Sequence, residues 1–199
     1  MSTTTVEHNR GRWPLVLLLV VFISPVLFAL LWSPTGYVNR GELVEPARPV
    51  STLPFQTLDG RQQSLSELDH KWTYVYFAND GCGRDCQVVV DELLRIRLSR
   101  GKHRDRIHIF LAIIPSAKTP VSRVHPAEHT ALTTGYLKPE VLSLWQAKFT
   151  VTGGTYPPEA GRIYLLDPLG NLMMSYPSQA GPEDIRKDIA RLLRASRIG

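Results

Sequence analysis

The 199-residue sequence predicts an α/β domain, one mixed sheet with flanking helices, preceded by a single N-terminal transmembrane helix. Three observations carry that expectation. Residues 13–32, "WPLVLLLVVFISPVLFALLW", contain no charge and as a helix would span about 30 Å, the thickness of a bilayer core. Beyond residue 53, runs rich in β-branched and aromatic residues alternate with amphipathic stretches, the order of strands joined by helical crossovers. Late in the chain "PLGN" turns one strand-like run straight into another, which makes that last pair antiparallel.

These signals divide the chain into a tail (1–12), an anchor (13–32), a linker (33–52) and a domain (53–199). Trp13 and Trp32 stand at the ends of the apolar run, where amphipathic rings suit the headgroup region. Pro25 interrupts the run, which membrane helices tolerate. Arg10 and Arg12 precede it directly, whereas Arg40 and Arg48 follow at a distance among Glu42 and Glu45. The positive-inside rule then places the tail in the cytoplasm and the domain outside. In a Gram-negative bacterium that means the inner membrane and the periplasm, where disulfides persist. Residues 33–52 hold Pro34, Pro46 and Pro49 with mixed charges and little periodicity, so they read as an extended linker.

The domain opens with two short strand-like pieces around Asp59-Gly60, a hairpin signal. Residues 64–68 suggest a helical turn, with Glu67 three places after Ser64 as in a capping box. "WTYVYFA" (72–78) reads as a buried strand. A helix is expected over 86–99, where Val89, Val90, Leu93 and Leu94 follow helical spacing. "RIHIFLAIIP" (106–115) is a second buried strand. A helix over 137–149 has Pro139 in its first turn. Strands over 161–167 and 172–177 flank "PLGN". The last helix starts near Pro182, with Glu183 and Asp184 at the positive end of its dipole. Hairpin, β, α, β, α, β-hairpin, α is the pattern of a thioredoxin-like domain.

Both cysteines of the chain fall in "NDGCGRDCQVV", directly after the 72–78 strand. Cys82 in the strand-to-helix loop and Cys86 in the first helical turn could bring their sulfurs together. Gly81 and Gly83 would allow a sharp bend. The unpaired N–H groups and dipole of the helix, with Arg84 between, would favour thiolate. Such a pair can close a redox-active disulfide or grip a soft metal. Zinc would need more nitrogen or sulfur ligands; Cu(I) accepts two thiolates and one further donor. Two inert buried cysteines are the bland alternative.

The anchor, "VYFA" (75–78), "CGRDC" (82–86), "LTTGYLKPE" (132–140) and "YLLDPLG" (164–170) together resemble the SCO/SenC family, thioredoxin-like copper chaperones of cytochrome c oxidase assembly. The resemblance runs from about residue 53 to the C-terminus. It implies an assembly role, with oxidase subunits or other copper-site assembly factors as partners. Its prolines after each cysteine are replaced by Gly83 and Gln87, and Glu159 occupies the place of its third, histidine, copper ligand. A carboxylate is a hard donor that suits Cu(I) poorly. The primary expectation is therefore thiol–disulfide exchange, with Cys82 attacking and Cys86 resolving and no cofactor required. The alternatives are a Cu(I) metallochaperone using Cys82 and Cys86 with Glu159, a histidine or a partner's residue completing the site, and a non-catalytic assembly scaffold.

The remaining candidates read mainly as structure. His125 and His129 in "HPAEH" have i, i+4 spacing but fall in a polar connection, and His108 lies inside a strand. Arg95, Arg97, Arg100, Lys102, Arg104 and Arg106 form a basic run at a helix C-terminus, read as a solvated face or a docking site for an acidic partner or phospholipid. The net charge of +5 is spread over the chain. The run has no interleaved aromatics, so nucleic acid is not an expected partner.

Overall fold

The computed structural model describes residues 13–31, 39–68, 70–115, 130–150 and 161–198. The chain forms two units, Met1–Val38 and Asn39–Gly199. In the first, helix α1 covers Trp13–Leu31 with Pro25 inside and no charge. Large apolar side chains are exposed along it, including Leu15, Leu18, Phe22 and Leu27. Its 19 residues rise about 28 Å, just under a bilayer core. Among the described residues no helix is long and apolar enough to cross a membrane.

Among its described residues the second unit is one eight-stranded mixed sheet with three α-helices and two short 3-10 helices. In chain order it runs β1 (Glu42–Pro49), β2 (Pro54–Gln56), β3 (Gln62–Ser64), β4 (Trp72–Asn79), α2 (Arg84–Leu98), β5 (Ile107–Ile114), β6 (Leu132–Tyr136), α3 (Pro139–Phe149), β7 (Ile163–Leu166), β8 (Asn171–Tyr176) and α4 (Pro182–Ala195). The spatial order is β1-β8-β7-β4-β5-β6-β2-β3. β4 pairs parallel to β5 and β5 to β6, while β7 lies antiparallel to β4 and to β8. The expected parallel centre and antiparallel late hairpin are therefore present.

Period-two alternation along β4 divides the core into two layers. Trp72, Tyr74, Tyr76 and Ala78 face a cluster filled by Val90 and Leu93 of α2 and by Ile185, Ile189 and Leu193 of α4. Val75 and Phe77 face the opposite cluster, with Trp145 and Phe149 of α3. There Phe77 meets Phe149 edge-on at 5.1 Å between ring centroids, and Phe110 stacks on Trp145 at 5.7 Å. The indole N–H of Trp145 donates to the Pro54 carbonyl at 2.8 Å, so the ring is buried without an unmet donor.

Two strands were not expected. The linker reading of 33–52 is overturned over residues 42–49, because β1 is an edge strand paired with β8. Proline counts against a central strand, but an edge tolerates it. Pro46 falls in the irregular stretch between the Leu43↔Met174 and Arg48↔Leu172 pairs. Arg48 also donates to the carbonyls of Lys148 (3.1 Å) and Thr150, holding β1 to the end of α3. The second is β6, whose "LTTGY" shows no alternation; Gly135 is needed there because a Cβ would strike Phe110 and Phe55.

The basic run is part structural and part solvated face. Arg97 is buried and donates to the Ile107 carbonyl (3.1 Å) and the Asp105 carboxylate (2.9 Å). Arg106 donates to the carbonyls of Leu193 (3.0 Å), Ser196 (2.9 Å) and Ile198 (2.7 Å), the uncapped end of α4. Arg95, Lys102 and Arg104 remain exposed.

Candidate functional site

The site is built where β4 meets α2. At the end of β4 the Asp80 amide donates to the Ile114 carbonyl at 3.0 Å, extending the β4–β5 ladder by one bond. Asp80 (φ 59°) and Gly81 (φ 101°) then both adopt left-handed backbone and reverse the chain. Asp and Gly are the residue types that tolerate this conformation. The sequence reading singled out Gly81 but missed Asp80, although "NDG" carries the signal. Gly83 has no such role: its φ of −68° is open to any residue.

Gly83 contributes differently, as the N-cap of α2 without a side chain to cap it. The first-turn N–H groups therefore meet no side-chain acceptor from that position and are left to solvent or to a nearby sulfur. Cys82 lies one residue before the cap and Cys86 on the third residue of the helix. The two form a disulfide with Cα atoms 5.1 Å apart, inside the range such a bond requires. Both expected site residues are thus brought together as the spacing implied.

The two sulfurs are not equivalent. Cys86 is buried, packed in the cluster with Ala78 and Val90. Cys82 is only partly buried at the edge of that cluster. The side chains around them, Arg84, Asp85, Gln87 and Val88, are exposed, and Val88 presents an apolar surface that is 62% accessible. The Gln87 side-chain amide donates to the Cys82 carbonyl at 3.3 Å, tying the loop to the helix. Below, burial and then the Asp85 charge push the Tyr76 phenol up. Asp85 favours the helix start but opposes a second negative charge beside it.

The donor set for a metal is incomplete. Among the described residues no three His, Cys, Asp or Glu side chains form a group able to hold a metal ion. His108 pairs across from Thr73, six residues along β4 from Asn79 and so about 20 Å away; its Nε2 lies 2.9 Å from Thr133 Oγ1. His70 precedes β4 with its Nδ1 3.3 Å from the Pro168 carbonyl, and His103 precedes β5, both at that same far end. Glu159, His125 and His129 lie outside the described residues. Among the described histidines, aspartates and glutamates none joins the two cysteines in a group of three, so the third donor a Cu(I) site would need is not among them.

On the other face of the sheet, at the same end, Arg162 is buried. It donates to Glu42 (2.6 Å) and Ser175 (3.1 Å), linking β7, β8 and β1. It follows Gly161, which is left-handed at φ 86°.

A family model described as "transmembrane-like, thioredoxin-like, C-terminal domain" matches residues 72–196. The sequence matches none of the curated proteins. Among solved structures, the chain is similar to copper-bound ScoI of Arabidopsis thaliana, with a TM-score of 0.56 at 15% identity over 78% of this chain and 99% of that one. Apo Sco1 of Thermus thermophilus gives 0.56 at 16% identity, over 80% and 99%. The thioredoxin domain of a thiol-disulfide oxidoreductase from Bacteroides vulgatus gives 0.52 at 16% identity, over 75% and 95%. At these identities the likeness establishes a shared fold.

Proposed function

The chain belongs to the transmembrane-like, thioredoxin-like C-terminal domain family, and from that premise we propose that it is a membrane-anchored thiol–disulfide exchange protein. The observation that carries this reading is the Cys82–Cys86 disulfide at the uncapped start of α2, with one sulfur accessible and the other buried. In the reduced protein, the Cys82 thiolate attacks one sulfur of a client disulfide. The client S–S bond breaks, a mixed disulfide forms, and the client's second sulfur leaves as thiolate. Cys86 then attacks the Cys82 sulfur, closes the intramolecular disulfide and releases the client as a dithiol. Two electrons pass from the pair to the client, and the reverse sequence oxidises a client dithiol.

The resemblance of "VYFA", "CGRDC" and "YLLDPLG" to the SCO/SenC pattern supports a client in cytochrome c oxidase assembly, namely a copper-site cysteine pair of an oxidase subunit or another assembly factor. The shared fold with SCO structures is compatible with that choice. Exposed apolar side chains along α1 support an anchor in the inner membrane. Arg10 and Arg12 ahead of it support a cytoplasmic N-terminus and a periplasmic domain.

The test is mass spectrometry of the full chain in detergent, alkylated after equilibration in buffers from strongly reducing to oxidising. A reversible change between two and no alkylated thiols is expected; its absence at every poise sinks the proposal. Anaerobic Cu(I) titration of the same preparation against a competing chelator tests the metallochaperone alternative. Retention of about one equivalent that depends on both cysteines would favour that alternative.

A further inference from the structure

We infer that the basic surface formed by the segment Gly101–Arg106 and the end of α4 is a docking face for an acidic segment of a partner protein, separate from the disulfide site.

The fold assembles this surface from two stretches that are distant in sequence. Gly101–Arg106 is a 3-10 helix between α2 and β5. It lies along α4 and is fastened to it on both sides. The Arg100 guanidinium donates to the Arg186 carbonyl at 3.5 Å, and Arg106 donates to the carbonyls of Leu193, Ser196 and Ile198. The exposed cations Lys102 and Arg104 are thereby brought to the same end of the domain as exposed Arg194 and Arg197. Along the chain the net charge of +5 is spread out; folding gathers much of it here.

Ordinary roles account for only part of this charge. Cations favour a helix C-terminus, but Arg106 already fills that role with its bonds to the end of α4. Solvated faces intersperse both signs, and the first half of α4 does so. There Glu183 accepts from Arg186 at 2.7 Å and lies 3.5 Å from Lys187. At the other end of the same helix the pattern stops. Among the described residues no carboxylate pairs with Lys102, Arg194 or Arg197. Arg194 gives one N–H to the Ala190 carbonyl at 3.2 Å. The acid nearby, Asp105, is shared by buried Arg97 (2.9 Å) and Arg104 (3.7 Å). Like charges held together repel one another, and an acidic partner relieves that repulsion.

The composition favours a protein as the occupant. Arginine outnumbers lysine on this face, and protein interfaces are enriched in Arg and depleted in Lys. The planar guanidinium takes a carboxylate through two N–H groups at once. Ile198, 53% exposed, has its carbonyl held by Arg106, which fixes an apolar contact beside the charges. An acidic run with an apolar neighbour matches both features.

The position keeps this face apart from the redox chemistry. Ile107, directly after the 3-10 helix, pairs with Trp72 at the start of β4, whereas the disulfide follows Asn79 at its other end, about 23 Å along the strand. A partner docked here leaves Cys82 uncovered.

The test uses the full chain in phosphatidylcholine nanodiscs at about 0.15 M salt. The probe is a fluorescent peptide of about ten residues, alternating Glu and Asp around one leucine, with its Gln/Asn counterpart as control. Fluorescence anisotropy should show the acidic peptide bound and the neutral one free. Lys102→Gln/Arg194→Gln/Arg197→Gln should weaken binding at least about tenfold, whereas Arg95→Gln/Arg186→Gln/Lys187→Gln, the same charge removed from paired positions, should weaken it less than about twofold. In the wild-type chain, amides of residues 101–106 and 194–198 should exchange more slowly with the acidic peptide bound. Equal loss in both variants, no binding of the acidic peptide, or equal binding of the neutral one overturns the proposal. Slower exchange of those amides in phosphatidylglycerol nanodiscs without peptide would assign the face to lipid and overturn it as well.

Discussion

The carboxylate of Asp188, in the second turn of α4, accepts the backbone N–H of Gly41 at 2.9 Å where the chain enters the sheet. It also takes the Arg40 N–H at 2.9 Å and lies 3.4 Å from the Tyr176 hydroxyl. Asp188 is 1% exposed. Asp188→Ala should destabilise the domain by about 2–3 kcal/mol, because it strands the buried Gly41 donor and leaves the half-buried Arg40 N–H without its acceptor. Asp188→Asn keeps one carbonyl oxygen for them and should cost about 1 kcal/mol. Urea unfolding measures both, and faster amide exchange at Arg40 and Gly41 should accompany the alanine variant alone.

Reducing the disulfide should weaken the fold without undoing it. The loop it closes is short, with a sequence separation of 4, so its constraint on the unfolded chain contributes about 2 kcal/mol. Differential scanning calorimetry with and without reductant should show Tm lower by about 5 °C. A much larger drop would mark the bond as structural and count against a redox role.

The asymmetry of the cysteines predicts which variant traps a client. Cys86→Ser leaves the accessible sulfur and should accumulate mixed disulfides; Cys82→Ser leaves the buried one and should accumulate few. Non-reducing gels of membranes expressing each variant separate the outcomes. Equal trapping would contradict the assignment of Cys82 as the attacking thiol.

Arg106→Lys keeps the charge but loses the planar fork that reaches three carbonyls at and just beyond the end of α4. It should cost about 1–2 kcal/mol, and Arg106→Ala somewhat more. Exposed Lys102→Ala should change stability by less than about 0.5 kcal/mol. Similar effects at both positions would return the run to the solvated face expected from sequence.

Alkaline pH should unfold the domain through two phenols. Burial, then the Asp188 charge, pushes Tyr74 up; burial, then Tyr74 and Asp188, pushes Tyr176 up. Each folded value exceeds the unfolded one, so their contribution is intact below about pH 10. Above that, only the unfolded chain loses these protons, and stability falls by about 1.4 kcal/mol per pH unit for each. Ultraviolet titration should show both phenols ionising together with unfolding, whereas early ionisation at either would refute this.

Much of the fold was legible locally. "WTYVYFA" and "RIHIFLAII" could be read as buried strands because their β-branched and aromatic density needs no partner to be recognised. α4 could be placed by Pro182 and its acidic first turn, since caps and dipoles act within one turn. β1 was hidden because its prolines are tolerable only at a sheet edge, and edge position is a property of the whole sheet. β6 was hidden because Gly135 is explained only by Phe110 and Phe55, which are distant in sequence.

At the site, "CGRDC" by itself determined the proximity of two thiols, the helix beginning between them and the absence of a capping side chain. Covalent spacing and backbone propensity are short-range, so five residues suffice for that. Only the tertiary structure decided which sulfur is buried, since Cys86 is covered by a core assembled from β4, α2 and their neighbours. It also decided that the described histidines stand at the far end of the sheet, and that the chain from α1 enters at the end bearing the disulfide. Those relations depend on strand order and register, which long-range packing selects and local sequence does not encode.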